Sequence, residues 1–182
     1  MKTRLAMTIG AVALSLACSQ SAHAKNEKTW QKASDVGAYG LAAAALGVPI
    51  IEKDKHGALQ AAGSIVASEL IARGIKEAFP ELRPDGSDRK SFPSAHTSLA
   101  FASATTLYKR QGRSVGIPAM AVATFVGFAR VQADKHFWYD CLVGASIGVA
   151  SGYLITNKPD RKVAIVPWGS SKGGGFSLAA RF

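Results

Sequence analysis

The sequence predicts an all-α fold, a compact bundle of about five helices followed by a short C-terminal β-hairpin. Apolar stretches rich in Ala and Gly recur with few strict alternations, which favours helices over strands. Short polar loops separate these stretches, as in bundles of antiparallel helices. We divide the 182 residues into 1–24, a helical domain at 25–160 and a tail at 161–182. The predicted helical segments are Val36–Ile51, Gly57–Ile75, Ala95–Tyr108, Gly116–Ala129 and Cys141–Thr156.

The first 24 residues have the build of a secretory signal peptide. A basic start and an apolar run occupy residues 2–17, and small residues at 22–24 have the usual cleavage spacing. We therefore expect an exported, periplasmic protein whose mature chain starts at Lys25. An uncleaved anchor and a lipoprotein attached at Cys18 are the alternatives. After cleavage Cys141 is left without a disulfide partner, and we expect it to be a small buried residue.

The net charge of +10 indicates a negatively charged binding partner. A basic surface suits phosphate-bearing molecules or anionic membranes, and it would also suit nucleic acid. Export argues against nucleic acid, and the chain has no basic patch interleaved with aromatic residues. We therefore expect a phosphorylated lipid or a small phosphate ester as the partner, and no nucleic acid.

The sequence leaves open whether the helices cross a membrane. Most segments are shorter than the ~20 residues that a span needs, and the second carries Gln60, Glu69 and Arg73. Small residues are nevertheless what tightly packed membrane helices use. The basic residues at 109–113 would also lie on the cytoplasmic side if the mature N-terminus is outside. We expect a compact periplasmic domain that associates with a membrane, with membrane-spanning helices as the alternative.

The tail differs in composition from the helical domain. Residues 162–168 and 175–182 flank a Gly- and Ser-rich stretch, which predicts a loose β-hairpin. Phe176 and Leu178 belong to one alternating apolar face. We expect a lid packed on the helices, and the alternative is a contact with the outer membrane or a partner.

Polar residues concentrate where apolar segments begin or end. In an up-and-down bundle, the end of the second helix, the start of the third, the end of the fourth and the start of the fifth share one face. The residues predicted to converge there are Lys76, Arg83, His96, Arg130, His136 and Asp140.

Each of these residues has an ordinary explanation when taken singly. A cation at a helix end, such as Lys76 or Arg130, is commonly a solvated charge, and Ser94 before a helix is commonly an N-cap. His136 and Asp140 are more informative, because residues four apart on a helix face each other and a carboxylate orients an imidazole.

Taken together, the clusters suit a phosphoryl group. Cations and the free N–H groups near Ala95 would hold its oxygens, while one imidazole attacks phosphorus and the other protonates the leaving oxygen. The sequence has no acid-rich cluster for magnesium and no Cys–His spacing for zinc. We therefore expect neither a metal nor another cofactor, with Lys76, Arg83 and Arg130 supplying the positive charge.

At these residues the sequence resembles the type 2 phosphatidic acid phosphatases, which share a fold and site with vanadium haloperoxidases. The family pattern is Lys, six residues, Arg-Pro; then Pro-Ser-Gly-His; then Ser-Arg, five residues, His, three residues, Asp. This chain matches it at Lys76, Arg83, Pro84, Pro93, Ser94, His96, Arg130, His136 and Asp140. Ala95 replaces the Gly and Ala129 replaces the Ser, and neither change removes a catalytic group.

The resemblance implies a role for each matching residue. His136 would attack phosphorus with Asp140 orienting it, and His96 would protonate the leaving group and later activate water. Lys76, Arg83, Ser94, Arg130 and the backbone at Ala95 would bind the phosphate.

These roles favour hydrolysis of lipid phosphates or pyrophosphates at the periplasmic face. Phosphatidate, phosphatidylglycerol phosphate, undecaprenyl pyrophosphate and the phosphates of lipid A are the candidate substrates. The alternatives are a soluble acid phosphatase of broad specificity, a lipid phosphotransferase, a vanadate-dependent halide oxidation and a non-enzymatic lipid-binding role.

Overall fold

A computed structural model describes residues 2–157, 163–170 and 173–180. In that part of the chain it contains five helices and a two-stranded antiparallel hairpin, which confirms the predicted fold class. The elements are α1 (Lys2–Ile51), α2 (Lys55–Ala78), α3 (Ala95–Gln111), α4 (Arg113–Gln132), α5 (Trp138–Ile155), β1 (Val163–Ser170) and β2 (Gly173–Ala180). The expected cleavage point before Lys25 falls within α1, and cleavage itself stays a prediction.

The helices are longer than the apolar segments that predicted them, because polar residues continue each helix at its ends. The second helix starts at Lys55, where the Asp54 carboxylate accepts a hydrogen bond from the Gly57 backbone N–H at 2.9 Å. Such an N-cap satisfies a donor that has no partner inside the helix. Between α3 and α4 a single residue, Gly112, turns the chain with φ of 79°, a conformation that glycine adopts without strain.

The third helix is the centre of the bundle and contacts all four other helices. Its inner positions are small, which lets its neighbours approach closely. Apolar side chains of α1, α3 and α4 form the main core. The buried members include Ala38, Leu41 and Ala45 of α1, Leu99, Ala100, Ala104 and Leu107 of α3, and Ala119, Ala123 and Val126 of α4.

Glycines on α5 set the distance between α5 and α3. A Cβ added at Gly144 would collide with the Ser94 carbonyl oxygen, and one at Gly148 would collide with that of Ser98. At Gly152 it would lie 2.6 Å from the Thr105 Cβ. The three glycines are four residues apart and share one face of the helix. At Gly144 and Gly148 the backbone of α5 therefore lies directly against the backbone at the start of α3, and at Gly152 it packs on the Thr105 side chain.

A buried arginine joins α2, α3 and the end of α5 at the end of the bundle where α1 meets α2. The Arg110 side chain is 6% exposed and pairs with the Asp54 carboxylate. It also donates to the Gln60 side-chain oxygen at 2.7 Å and to the Asn157 carbonyl at 3.0 Å. Because several acceptors satisfy the guanidinium, this charge can be buried.

The bundle buries small polar residues and exposes large apolar ones. Hydroxyls pair inside it, as Ser64 and Thr106 do with Thr156 at 3.1 and 3.0 Å. The outward-facing apolar side chains include Val36, Leu59, Val66, Leu70, Ile117, Val122, Phe125, Phe128, Leu142, Val149 and Leu154. An apolar surface around a small-residue interior is what helices surrounded by lipid present.

Two helical stretches in the described residues have the length and composition to cross a membrane. They are Asn26–Ile51 of α1 and Arg113–Gln132 of α4. Both carry several of the exposed apolar side chains. The surface and these two helices together support association with a membrane.

The hairpin pairs β1 with β2 from Val163↔Ala180 to Ser170↔Gly173. The predicted hairpin is confirmed, and its strands extend into the Gly- and Ser-rich stretch that was expected to be loop. The first strand contacts α5. The side chains of Phe176 and Leu178, on which the lid prediction depends, lie outside the described side chains, and the lid stays a prediction.

The close approach of α5 and α3 predicts that an alanine is tolerated at Gly47 but destabilises the protein at Gly148. We expect Gly148→Ala to lower the free energy of unfolding by about 1–3 kcal/mol, because the methyl group must displace backbone. Gly47→Ala on α1, where nothing lies within 4 Å of the added Cβ, is the matched control and should be neutral or stabilising. Thermal unfolding in detergent measures both, and equal melting temperatures would contradict the packing described.

Candidate active site

The predicted site residues lie around one cavity of about 740 Å³ at one end of the bundle. They come from different parts of the chain, namely the last turns of α2 and α4, the first turn of α3, and two connecting segments. The residues of the predicted set that line it are Lys76, Arg83, Ala95, His96, Arg130 and His136. Asp140 lies behind His136.

The connection between α4 and α5 positions His136. The chain turns at Asp134, whose φ of 50° is a conformation that Asp tolerates better than most residues. Phe137 is the N-cap residue of α5, and its backbone N–H donates to the Asp140 carboxylate at 2.9 Å. The His136 side chain, 2% exposed, is fixed between this turn and the new helix.

The Asp140 carboxylate orients His136. Its Oδ2 lies 3.5 Å from the His136 Nδ1, so the imidazole Nε2 is the nitrogen left for chemistry. The same oxygen accepts a hydrogen bond from the Ser91 hydroxyl at 2.5 Å. The Asp140 backbone carbonyl also accepts from the Ser94 N–H at 3.1 Å. Asp140 therefore connects the segment before α3 to the nucleophile candidate.

The surroundings of His136 favour its neutral form. Burial lowers the pKa of His136 to about 4, and the nearby charges of Arg130, Arg83 and Lys76 act in the same direction, whereas Asp140 opposes them. A neutral imidazole retains the lone pair that a nucleophile needs. The ring is therefore ready to attack at neutral pH.

Lys76 holds the segment that precedes α3. Its ammonium group donates to the backbone carbonyls of Lys90 at 2.6 Å and Pro93 at 2.8 Å. Lys76 also lines the cavity. The ammonium thus fixes the loop that leads to His96 and contributes a positive charge to the cavity wall.

Arg83 is fixed between the two connecting segments of the site. Its Nε donates to the Asp88 carboxylate at 2.7 Å, and its NH1 lies 3.5 Å from the Lys135 carbonyl oxygen. A second link joins the same segments, because the Lys135 ammonium lies 2.5 Å from the Asp85 carboxylate. Burial alone would raise the pKa of Asp85, but hydrogen bonds from Lys135 and Ser87 lower it to about 2.

Ser94 and Ala129 are placed differently from the other motif residues. The fully buried Ser94 hydroxyl pairs with the Thr97 hydroxyl at 2.9 Å, and Ser94 does not line the cavity. It occupies the N-cap position of α3, yet its side chain makes no capping bond. Ala129 is fully buried in α4. Phosphate binding by the Ser94 side chain stays a prediction.

Two site residues escaped the sequence analysis. Ser91 holds Asp140, and Asp35 of α1 contacts both His96 and Arg130, at 3.1 Å from the His96 Nε2 and 3.5 Å from the Arg130 NH1. The signal for Asp35 in the sequence was weak: it is the one acid between Lys28 and Ile51, but it ends a polar stretch that also contains Gln31 and Lys32.

The cavity has a second, more apolar part between α1 and α2. Ala42, Ile65 and Leu99 line it together with Glu69 and Arg73, which form an ion pair at 3.8 Å. A neighbouring cavity of about 420 Å³ shares His96 and Arg130 with it and is also lined by Asp35. In the described part of the chain no three His, Cys, Asp or Glu side chains cluster as a metal site would require.

Residues 57–164 match the model of the PAP2 superfamily. The match covers more than half of the chain, and the protein belongs to this superfamily. It contains every motif residue that lines the cavity, and it leaves out α1.

Two relatives with known names are similar in sequence. A lipid A 1-phosphatase of Porphyromonas gingivalis is 40% identical over 82 residues, which cover 43% of this chain and 18% of the relative. A lipid A 4'-phosphatase of Helicobacter pylori is 27% identical over 127 residues, which cover 63% of this chain and 64% of the relative. The chain therefore spans less than two thirds of either relative.

Two solved structures share the fold. Aquifex aeolicus LpxE superposes with a TM-score of 0.60 at 23% identity, covering 70% of this chain and 82% of that one. A transmembrane PAP2-type phosphatidylglycerolphosphate phosphatase of Bacillus subtilis gives 0.57 at 24% identity, covering 83% and 90%. At these identities the likeness establishes the fold alone.

The protonation of His136 can be measured directly. We expect its ring to stay neutral in the ligand-free protein as the pH falls from 7 to 5, because its pKa is lowered to about 4. Side-chain ¹⁵N shifts of labelled histidines report this, with His136→Gln identifying the signal. A protonation midpoint above pH 6 would contradict the electrostatic account.

Proposed function

We propose that this chain is a metal-independent phosphatase that hydrolyses phosphate monoesters or pyrophosphates of membrane lipids through a phosphohistidine intermediate. One observation carries the proposal. Two histidines, His136 and His96, line the same cavity as the motif cations Lys76, Arg83 and Arg130, and a buried carboxylate lies behind His136. Binding an anion requires only the cations, whereas the paired imidazoles serve a two-step transfer.

In the first step the His136 Nε2 attacks phosphorus while the bond from phosphorus to the leaving oxygen breaks. Lys76, Arg83 and Arg130 hold the other phosphoryl oxygens and stabilise the charge that develops on them. His96 donates its proton to the leaving oxygen, which departs as an alcohol or a phosphate. Asp140 stabilises the positive charge that forms on the His136 ring.

In the second step water replaces the enzyme on phosphorus. His96, now neutral, removes a proton from a water molecule, whose oxygen attacks the phosphohistidine. The bond from phosphorus to the His136 Nε2 breaks, and inorganic phosphate is released. Both histidines return to their starting protonation states, as a catalytic cycle requires.

Three observations support a lipid as the substrate. Both named relatives are lipid A phosphatases. The bundle exposes a large apolar surface, and the cavity continues from the charged site into the apolar part between α1 and α2. A phosphate head at the cations and an apolar chain along Ile65 and Leu99 would use both parts.

The proposed location is a membrane, with the site at its periplasmic face. The apolar surface favours a bundle embedded in lipid over one that only touches it. Lys109, Arg110 and Arg113 lie at the connection between α3 and α4, at the end of the bundle away from the cavity. The positive-inside tendency places that end in the cytoplasm and the cavity outside, in agreement with the export signal expected at residues 1–24.

Phosphate release tests the proposed function. The full chain, purified in detergent with EDTA, is assayed with lipid A, phosphatidate, undecaprenyl pyrophosphate and a soluble aryl phosphate. We expect release from lipids without added metal, and none from His136→Ala because the nucleophile is absent. His56→Ala is the matched control, since His56 bonds Gln60 at the far end of the bundle.

Three other outcomes would contradict a specific part of the proposed function. Release only from the aryl phosphate would replace the lipid phosphatase by a soluble acid phosphatase of broad specificity. Full activity in His136→Ala would overturn the mechanism. Transfer of phosphate to a lipid alcohol with no release to water would identify a phosphotransferase.

A further inference from the structure

The first helix contributes a carboxylate to the site, although it lies outside the matched residues 57–164. Asp35 lies 3.1 Å from the His96 Nε2, and the Tyr39 ring, one turn further along α1, meets the His96 ring edge-on at 5.7 Å between centroids. His96 is therefore held on one side by α1. The same carboxylate oxygen lies 3.5 Å from the Arg130 guanidinium.

We propose that Asp35 is a positioning residue that holds His96 as the proton donor and shares Arg130 with the phosphate. The inference rests on the proposed function. It gives the two histidines equivalent support, Asp140 behind His136 and Asp35 behind His96. The Asp35 carboxylate on α1 would then influence both the general acid, His96, and the phosphate-binding Arg130.

The charges around His96 explain why such a carboxylate is needed. A general acid must carry a proton when the substrate arrives. Burial lowers the pKa of His96 to about 4, and Arg130, Arg83 and Lys76 act in the same direction, so the ligand-free site disfavours a protonated imidazole. The Asp35 carboxylate, in contact with the ring, favours it. Three other carboxylates line the two cavities: Asp88 pairs with Arg83, Glu69 pairs with Arg73, and Glu77 lies in the last turn of α2.

The geometry also defines the route of the proton. With the Nε2 proton directed to Asp35, the His96 Nδ1 is the nitrogen that can face the leaving oxygen. As the bond from phosphorus to that oxygen breaks, its electron pair stays on the oxygen and takes up the Nδ1 proton. His96 becomes neutral, and Asp35 remains ionised and keeps the ring in place.

Close packing holds Asp35 where it can act. Two residues along α1, a Cβ added at Gly37 would lie 2.7 Å from a Val126 methyl group, so α1 and α4 approach closely at this point. Ser34 and Arg130 are in contact across the same interface, at 3.4 Å between the hydroxyl and NH1. Ala38 and Leu41 continue the contact into the core.

Leaving-group dependence distinguishes a positioning role from a structural one. Asp35→Asn keeps the shape and removes the charge. We expect it to lower kcat/KM, which does not include the later water step, about 10- to 100-fold for an alkyl phosphate or lipid substrate, whose leaving oxygen must be protonated. For an aryl phosphate with an acidic phenol, which leaves without a proton, the loss should stay below about threefold.

Binding of inorganic phosphate tests the same residue without turnover. In a His96→Gln background, where the charge of His96 cannot change, Asp35→Asn should tighten phosphate binding about 3- to 10-fold, since the carboxylate beside Arg130 repels the anion. Calorimetry on the full chain in detergent measures the dissociation constant. A purely structural defect would instead weaken binding or leave it unchanged.

The controls separate failure of this inference from failure of the proposed function. Lys32→Gln removes an exposed charge from the same helix and should change neither readout, and Asp35→Glu should recover part of the alkyl phosphate activity. An equal loss for both kinds of ester, or phosphate binding that is not tighter, would overturn the role of Asp35. If the wild type hydrolyses nothing, the proposed function fails, and the binding measurement still decides whether Asp35 shares Arg130 with an anion.

Discussion

The site depends on one packing constraint, the contact between the backbones of α3 and α5. Gly144 lies against the Ser94 carbonyl and Gly148 against that of Ser98, with no room for a Cβ at either. Asp140 is one turn before Gly144 on the same helix, so this contact brings it to the start of α3. There it accepts from Ser91 and holds His136. If α5 moved outward by the width of a methyl group, Asp140 and His136 would move away from the start of α3, where His96 lies.

Motif spacing together with the topology of the bundle was enough to predict which residues meet. Short joints force neighbouring helices to be antiparallel, so the ends of α2 and α4 and the starts of α3 and α5 had to share a face. This reasoning needs no side-chain detail, and it placed Lys76, His96, Arg130 and His136 correctly around one cavity. The helix ends were less predictable, because polar residues such as Lys55 and Arg113 extend helices beyond their apolar segments.

Residues that act through packing or from a distant helix were not predictable in the same way. Asp35 lies just before the first predicted segment, and nothing local says that α1 passes His96. Ser91 resembles any loop serine until its hydroxyl is seen on Asp140. For Ser94 the sequence suggested too much. The motif predicts phosphate binding and the position before α3 predicts an N-cap, whereas the Ser94 hydroxyl is buried against that of Thr97. Long-range contacts decide all three.

The relation to the membrane also follows from where side chains point. The sequence analysis counted short apolar segments and polar residues within them, and it leaned towards a domain that only associates with the membrane. In the structure Gln60, Ser64 and Ser68 are buried inside the bundle, whereas Leu59, Val66 and Leu70 of the same helix point outward. Hydropathy averaged along a segment cannot separate these two faces. Their separation is what supports a lipid-facing surface.

The most direct test of the account is detection of the phosphohistidine. His96→Ala, given an aryl phosphate with an acidic phenol, should still be phosphorylated but should not activate the water that removes the phosphoryl group. Alkaline quenching and peptide mass spectrometry should then find about one phosphoryl group per chain on His136, and none when His136 is also replaced. A phosphoryl group on another residue, or none while the wild type turns over the same ester, would contradict the central claim.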